Sequence, residues 1–240
     1  MKGLDVSVKT NIRSVTKRVK KFQGVDLPKA VGFAMNDTAR KMMKLYNMNT
    51  NRTFNKPVKY TSSAFGFTKT SSSQKTVNDK IAYVGVKGEP NIKSSGDSSG
   101  TNRRIKYMRL QTDGGERTPN RKYIVIPTVH SELNQHGNFP RNFVKRVKAD
   151  KKRYFFGTPK GRPSNGSFNG IWRRLGTTTN DRSPKLQKVA SFIDRQTINK
   201  LFPFDKLTRT FIPKILEKQL QKQIRFQFNK KFKSKLVKVR

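Results

Sequence analysis

The most regular alternation of apolar and polar positions lies at the C-terminal end of the chain. An apolar side chain recurs there at every fourth position, at Ile212, Leu216, Leu220, Ile224, Phe228, Phe232 and Leu236. This spacing predicts a helix over about 211–236, with Pro213 in its first turn and Thr208 or Thr210 as its cap.

This apolar stripe winds around the predicted helix. Because four residues advance a helix by about 400°, the stripe drifts by about 40° at each step, and one flat surface cannot cover it. We therefore expect the first half to pack on the chain's own sheet. The second half either meets another subunit or partner, or frays in solvent. The residues expected at a subunit interface are Ile224, Phe228, Phe232 and Leu236.

A second helical pattern lies near the N-terminus. Its apolar positions recur at threes and fours, at Val31, Met35, Ala39, Met42 and Tyr46. They predict a helix over 28–47, with Asp26 as its N-cap and Pro28 in its first turn. The preceding segment, 1–23, mixes basic and apolar residues and predicts a short amphipathic helix, which the residues at 24–26 should break.

Between these helices, short apolar runs alternate with turn-forming residues. Strands are predicted within 80–87, 122–127, 154–156, 171–175 and 186–193, with a further short strand near Lys59. A short helix is predicted over 140–149, whereas 105–111 fits either a strand or a helical turn. The spacing of the strands favours an antiparallel sheet of four to six strands.

Together these elements predict an α+β fold with N-terminal helices, a central antiparallel sheet and a long C-terminal amphipathic helix. We divide the chain into a basic N-terminal segment at 1–23, an α+β core at 24–207 and a long basic helix at 208–240. Gly, Pro, Ser and Asp are frequent at 88–101, which predicts a flexible loop within the core.

The net charge of the chain indicates what kind of partner it has. Lys and Arg number 54 against 14 Asp and Glu, which gives a net charge of +40. The excess extends along all three thirds of the chain rather than forming a basic tail. A body with this charge repels itself, so we expect an anionic neighbour: nucleic acid, an acidic protein assembly or an anionic membrane. The 17 Phe and 6 Tyr indicate a folded core rather than a disordered polyelectrolyte.

Candidate catalytic chemistry is weak throughout. The chain has no Cys, which excludes disulfides and thiol catalysis. The segment Gly96–Gly100 (GDSSG) has the letters of a serine-protease loop but lies in a Ser- and Gly-rich stretch. His130 and His136 have no third residue at the spacing of a metal site. The basic, turn-like segment Gly157–Pro163 is not followed by a clear helix, so it is a weak candidate for a phosphate-binding loop. We expect no enzyme, no cofactor and no metal.

Basic residues interleaved with aromatic ones are more informative. Tyr107 and Trp172 offer stacking faces among cations that could contact phosphate. The candidate contacts are Arg103, Arg104, Arg109, Arg117, Arg121, Lys122, Arg141, Lys145, Arg146, Lys151, Lys152, Arg153, Arg173 and Arg174. Lys148 belongs to the same basic stretch. Since no known nucleic-acid-binding motif is visible, we expect binding that is independent of sequence and sensitive to salt.

Several segments point to one family. Val31–Arg40 reads VGFAMNDTAR, with the order Ala, Asn, Thr, Ala on a helix. Gln111–Pro119 contains GG-x-R-x-P, the strand ending at Pro127 follows, and Gly137–Arg141 reads GNFPR. The chain ends with an apolar strand and then a Pro-led helix of basic and Gln residues. In this order the segments resemble phage minor tail protein Z, the lambda-type tail completion proteins.

The resemblance implies a structural virion protein. It would complete the phage tail at the neck, the head–tail connector region, as a homo-oligomeric ring in contact with other tail or neck proteins. It would also contact the end of double-stranded DNA. Its location would be the virion, and the host cytoplasm during assembly. The family supplies no catalytic residues.

Other functions remain as alternatives. The first is a ribosomal or other sequence-independent RNA-binding structural protein, which would share the charge distribution. The second is a nuclease, which is disfavoured because the acidic residues lack metal-ligand spacing. No run approaches 18 apolar residues and 1–23 has no apolar stretch of the signal-peptide kind, so we expect neither a transmembrane helix nor a signal peptide. A membrane-surface role of the basic C-terminal helix is a further alternative, but it is disfavoured because the charge is spread over the whole chain, and we expect no membrane partner.

Overall fold

The computed structural model describes residues 12–71, 74–92, 101–119, 122–162, 168–176 and 185–236, without the side chains of 101, 102 and 232–236. The predicted α+β fold is confirmed, with N-terminal helices, antiparallel sheets and a long C-terminal helix. Residues 93–100, which include most of the predicted flexible loop and the GDSSG segment, lie outside this description.

The helices and strands are short in the middle of the chain and long at its ends. The helices are α1 (Ile12–Lys21), α2 (Leu27–Thr53), α3 (Lys59–Ser62), α4 (Thr101–Asp113), α5 (Phe143–Ala149) and α6 (Phe204–Leu236). The strands are β1 (Phe65–Thr68), β2 (Tyr83–Val86), β3 (Gly115–Arg117), β4 (Ile124–Pro127), β5 (Tyr154–Gly157), β6 (Gly170–Leu175), β7 (Lys185–Ile193) and β8 (Gln196–Ile198).

The chain forms two compact units, and each is assembled from segments that are distant in sequence. The first unit comprises Met1–Asn47, Ser63–Ile105 and Phe204–Arg240, and the second comprises Met48–Ser62 and Lys106–Pro203. The division predicted above follows chain order, whereas these units are defined by packing. The first contains the β1–β2 pair, and the second contains the larger sheet and the β3–β8 pair.

Helices α1 and α2 are joined by a π-helical turn, Phe22–Asp26, so the predicted break and the predicted N-cap role of Asp26 are wrong. The N–H of Leu27 donates to the Phe22 carbonyl five residues earlier. The wider turn accommodates Pro28, which has no N–H and whose ring would clash with the preceding turn of a regular α-helix. The helix predicted over 28–47 is confirmed as part of α2.

The start of α6 is set by aromatic packing in the first unit. The Phe204 ring lies 4.9 Å from the Tyr46 ring and 6.0 Å from the Phe65 ring, measured between centroids. Thr208 does not cap the helix, because its hydroxyl donates to the Phe204 carbonyl at 2.7 Å. The helix therefore begins seven residues before the predicted start at 211, and Pro213 lies inside it rather than in its first turn.

The buried face of α6 differs from the predicted apolar stripe. Gln219 and Gln227 are buried, whereas the stripe members from 212 to 224 are only half-buried. The amide of Gln223 donates to the Asp37 carboxylate of α2 at 3.1 Å. Gln223 thus contacts α2 through an acidic acceptor, and the buried positions of α6 include glutamines rather than only the apolar stripe.

The second half of α6 contacts its own chain. The Phe228 ring meets the Phe22 ring edge to face, with centroids 5.9 Å apart, although about half of Phe228 is still exposed. Of the other residues expected at a subunit interface, Ile224 is half-buried. The side chains of Phe232 and Leu236 lie outside the described residues.

In the second unit, β4, β7, β6 and β5 form a four-stranded antiparallel sheet in that order. This confirms an antiparallel sheet made of four of the predicted strands, whereas the strand predicted within 80–87 is β2, which pairs with β1 in a separate two-stranded sheet. Helix α5 covers one face, where Phe143 and Val147 pack against Ile171, Val189 and Ala190. The alternation of side chains along a strand directs the residues beside Ile171 to the opposite face.

Two short elements differ from expectation. The strand predicted near Lys59 is instead the single turn α3, in which the N–H groups of Thr61 and Ser62 donate to the Val58 carbonyl. The segment 105–111 is part of helix α4. Pairs such as β3 with β8 were not predicted, since three-residue strands carry too little alternation to be recognised.

A candidate polyanion-binding surface

A dense group of cations lies on α5 and on the turn that leads from it into β5. Phe143 and Val147 are four residues apart and face the core, so the residues between them point to solvent. After α5, the Asp150 carboxylate accepts a hydrogen bond from the Arg153 N–H at 3.0 Å and shapes the turn. We name this group the basic turn surface. Its members are Arg141, Lys145, Arg146, Lys148, Lys151, Lys152 and Arg153, all exposed.

The basic turn surface has little compensating charge. Asp150 is the single acid within 141–153. Among the described residues, the ion pairs join Arg173 to Glu132, Arg195 to Glu116 and Lys231 to Asp26, and none includes a member of this surface. Two like charges about 10 Å apart repel by about 0.4 kcal/mol in water, and the repulsion accumulates over several pairs. A bound polyanion would relieve it.

The sheet face opposite α5 carries a row of aromatic rings and cations. The strand register places Phe155, Trp172 and Lys188 side by side on β5, β6 and β7. The rings of Phe155 and Trp172 are parallel to within 9°, with centroids 6.3 Å apart. Arg174 Cζ lies 5.2 Å from the Phe155 centroid, and Lys188 Nζ lies 5.8 Å from the Trp172 ring. We name these four residues the aromatic–cation row.

Hydrogen bonds hold two members of the aromatic–cation row in place. Trp172 Nε1 donates to the carbonyls of Gly157 and Phe168 at 3.1 and 3.2 Å. Arg174 Nη1 donates to the carbonyls of Lys151 and Lys152 at 2.7 and 3.1 Å. Arg174 therefore ties the row to the turn that carries Lys151 and Lys152, whereas the cations of α5 lie on the other side of the sheet.

Lys188 is the least hydrated cation of the row. Burial lowers the pKa of its ammonium group below the ordinary value of 10.5, because the surrounding side chains replace water around the charge. An anion beside Lys188 would favour its charged form again.

Three predicted contacts do not belong to this region, because one is engaged in side-chain hydrogen bonds and two belong to the other unit. Arg173 faces the α5 side of the sheet, where it donates to the Glu132 and Gln187 side chains at 2.7 and 2.5 Å. Arg103 and Arg104 belong to the first unit. There, burial lowers the pKa of Lys87, and the charge of Arg104 lowers it further.

The remaining predicted contacts are dispersed over the second unit. Arg109, Arg117 and Lys122 are exposed on α4, on β3 and just before β4. Arg121 lies outside the described residues. Tyr107 is 37% exposed and packs near Phe54 with ring centroids 6.3 Å apart, and burial raises the pKa of its hydroxyl.

The candidate contacts and stacking residues predicted from the sequence did not include Phe155 and Lys188. Phe155 lies within a run of three aromatic residues, and Lys188 lies inside a predicted strand, so neither has a distinctive local signal. Only the register of β5, β6 and β7 places them beside Trp172.

The described residues contain no group of three or more His, Asp or Glu side chains that could hold a metal ion. His136 Nδ1 lies 2.9 Å from the Lys56 carbonyl, in a loop contact. Within the same part of the chain, no helix has the length and apolar character needed to cross a bilayer.

No family model, curated protein or solved structure matches this chain. The case for a function therefore depends on the charge and geometry of the chain itself.

Proposed function

We propose that the protein is a structural component of a phage tail or neck, which completes the tail at the head–tail junction as a ring of identical subunits. It contacts a polyanion there through the basic turn surface. The polyanion is the end of the packaged DNA or the acidic wall of a neighbouring ring. The segments that resemble minor tail protein Z support the virion setting, and the charge of +40 supports the anionic neighbour.

The observation that carries the polyanion contact is the uncompensated charge of the basic turn surface. Its exposed cations surround a single acid, and none of them joins an ion pair among the described residues. When such cations neutralise phosphates, the counterions condensed on the nucleic acid are released, and this release drives binding.

The shape of the surface favours contact with the backbone of a nucleic acid rather than with its base edges. Helix α5 has seven residues, and two of them are buried in the core. Contacts to phosphate fix position and orientation without reading sequence. We therefore expect duplex DNA to bind with little sequence preference.

Duplex binding at several salt concentrations tests the proposed surface. The variant Lys151→Ala/Lys152→Ala/Arg153→Ala removes three exposed cations, and the matched control Lys214→Ala/Lys218→Ala/Lys222→Ala removes three exposed cations of α6. The slope of log K against log salt is about −0.9 per phosphate contact, so the first variant should flatten it by about 2 to 3. Equal losses in both variants would show a response to net charge alone and would overturn the proposed surface.

The virion setting has a separate test. A mass-spectrometric inventory of purified particles should contain the chain together with tail proteins. Co-purification with ribosomal RNA, and absence from particles, would reject the tail proposal in favour of an RNA-binding role.

A further inference from the structure

We infer that the aromatic–cation row binds an unpaired nucleic-acid strand, whose bases stack beside Phe155 and Trp172 and whose phosphates meet Lys188 and the turn of the basic turn surface that carries Lys151 and Lys152. The inference rests on the proposed contact with a polyanion and names the form of nucleic acid that this region takes.

The position of the two rings supports stacking. Ile171 and Phe156 point to the α5 side of the sheet, so their neighbours Trp172 and Phe155 point to the other side. Both rings remain partly exposed rather than buried. Because they are parallel to within 9°, bases that stack on either ring adopt one common orientation.

The chemistry of stacking favours a single strand over a duplex. Every base has a π-face, so stacking on an aromatic side chain tolerates any sequence. In a duplex those faces are already covered by neighbouring base pairs, and only phosphates and groove edges remain for the protein. A row of parallel rings next to cations therefore suits an unpaired strand, whereas the basic turn surface alone serves both forms.

The two cations of the row have different contacts. Arg174 is held by the carbonyls of the turn that leads into β5, so it keeps the row beside that turn. Lys188 lies over Trp172 at the end of a long flexible side chain. When a base covers the indole, the Lys188 ammonium can also contact the phosphate of the same nucleotide through a charge-assisted hydrogen bond.

Trp172 is the single tryptophan of the chain and therefore reports on this site alone. The full chain is titrated with a 15-nucleotide oligo(dT), with oligo(rU) of the same length, and with a mixed-sequence duplex of equal phosphate number. We expect both unpaired strands to quench Trp172 fluorescence and the duplex to leave it unchanged. A difference in affinity between oligo(dT) and oligo(rU) distinguishes DNA from RNA as the source of the strand.

Adjacent residues on opposite faces of β5 supply matched variants. Phe155→Leu should weaken oligo(dT) binding about tenfold and leave duplex binding unchanged, since one stacking surface is lost. Phe155→Tyr keeps a ring and should retain affinity. Phe156→Leu removes a ring on the α5 side, where it lies 6.0 Å from Lys148 Nζ, so it should affect oligo(dT) and duplex binding alike and by less than Phe155→Leu affects oligo(dT) binding. Thermal unfolding is used to confirm that each variant is folded.

The outcomes separate the inference from the proposed function. If the duplex binds with strong salt dependence while unpaired strands neither quench Trp172 nor respond to Phe155→Leu, the inference is overturned and the basic turn surface stands. If neither duplex nor unpaired strands bind, the inferred single-strand site and the proposed DNA contact of the basic turn surface are both overturned.

Discussion

Lys231 Nζ on α6 lies 3.5 Å from the carboxylate of Asp26, which is buried in the π-helical turn between α1 and α2. The Asp26 oxygen that faces Lys231 accepts no hydrogen bond. This ion pair thus compensates a buried charge and attaches the last part of α6 to the N-terminal helices.

Removal of Lys231 should destabilise the first unit. In Lys231→Met the buried Asp26 carboxylate loses its cation, and we expect the free energy of unfolding to fall by about 1–2 kcal/mol, since Lys231 itself is partly exposed. Asp26→Asn in the same background should recover part of the loss. Urea denaturation of the two single variants and the double variant measures the coupling, and Lys222→Met is the control on an exposed part of α6. Additive effects would contradict a direct ion pair.

The Tyr46 hydroxyl is a second buried polar group with one defined partner. It lies 2.7 Å from Thr208 Oγ1, and Tyr46 is fully buried. Tyr46→Phe should lower the free energy of unfolding by about 1 kcal/mol at neutral pH, because Thr208 loses a hydrogen-bond partner. Tyr83→Phe, at an exposed tyrosine, should have almost no effect in the same denaturation experiment.

The same tyrosine predicts a dependence on pH. Burial raises the pKa of Tyr46 above the ordinary value of 10.0, the Thr208 hydrogen bond lowers it by less, and the Asp205 charge raises it. Because the folded state holds the phenol proton more tightly than the unfolded chain, this contribution is intact below pH 10 and is lost as the pH rises through the folded-state pKa. The stability of the wild type should fall more steeply above pH 10 than that of Tyr46→Phe. Parallel slopes would show that Tyr46 does not titrate with folding.

Gly170 is the glycine most strongly required by close packing. A methyl group at this position would collide with the Ala190 carbonyl on the neighbouring strand β7, which is backbone and cannot turn aside. Gly170→Ala should therefore cost about 2–3 kcal/mol in unfolding free energy and disturb the start of β6 next to Trp172. Gly176→Ala meets no atom within 4 Å and is the matched control. Equal thermal stability of the two variants would contradict the strand pairing described here.

The proposed ring predicts self-association through the second half of α6. Phe228 also contacts Phe22, so its substitution would alter folding and association together. Phe226 is 60% exposed on the same half of the helix and is a cleaner probe. We expect Phe226→Ser to reduce the oligomer fraction in sedimentation velocity without changing the melting temperature, whereas Lys222→Ser should not. A wild-type chain that is monomeric at all concentrations would argue against a ring.

Local periodicity accounts for what could be predicted of the candidate site. A short helix over 140–149 is predicted from the sequence, and the burial of Phe143 and Val147 four residues apart then places the cations between them in solvent, because a helix repeats every 3.6 residues. The alternation within β7 likewise predicts a strand. Neither pattern could show that Arg173 donates to Glu132 while Arg174 faces Phe155, since this requires the partners across the sheet.

The amino-acid sequence alone established the net charge, the α+β class and the main helices and strands, since these depend on composition and on neighbours a few residues away. Tertiary structure decided the start of α6 at Phe204, the ion pair of Asp26 and the aromatic–cation row. Each of these joins residues from separate elements, so it depends on strand register and helix packing. Long-range packing energy, summed over the whole chain, selects those arrangements, and no local pattern encodes them.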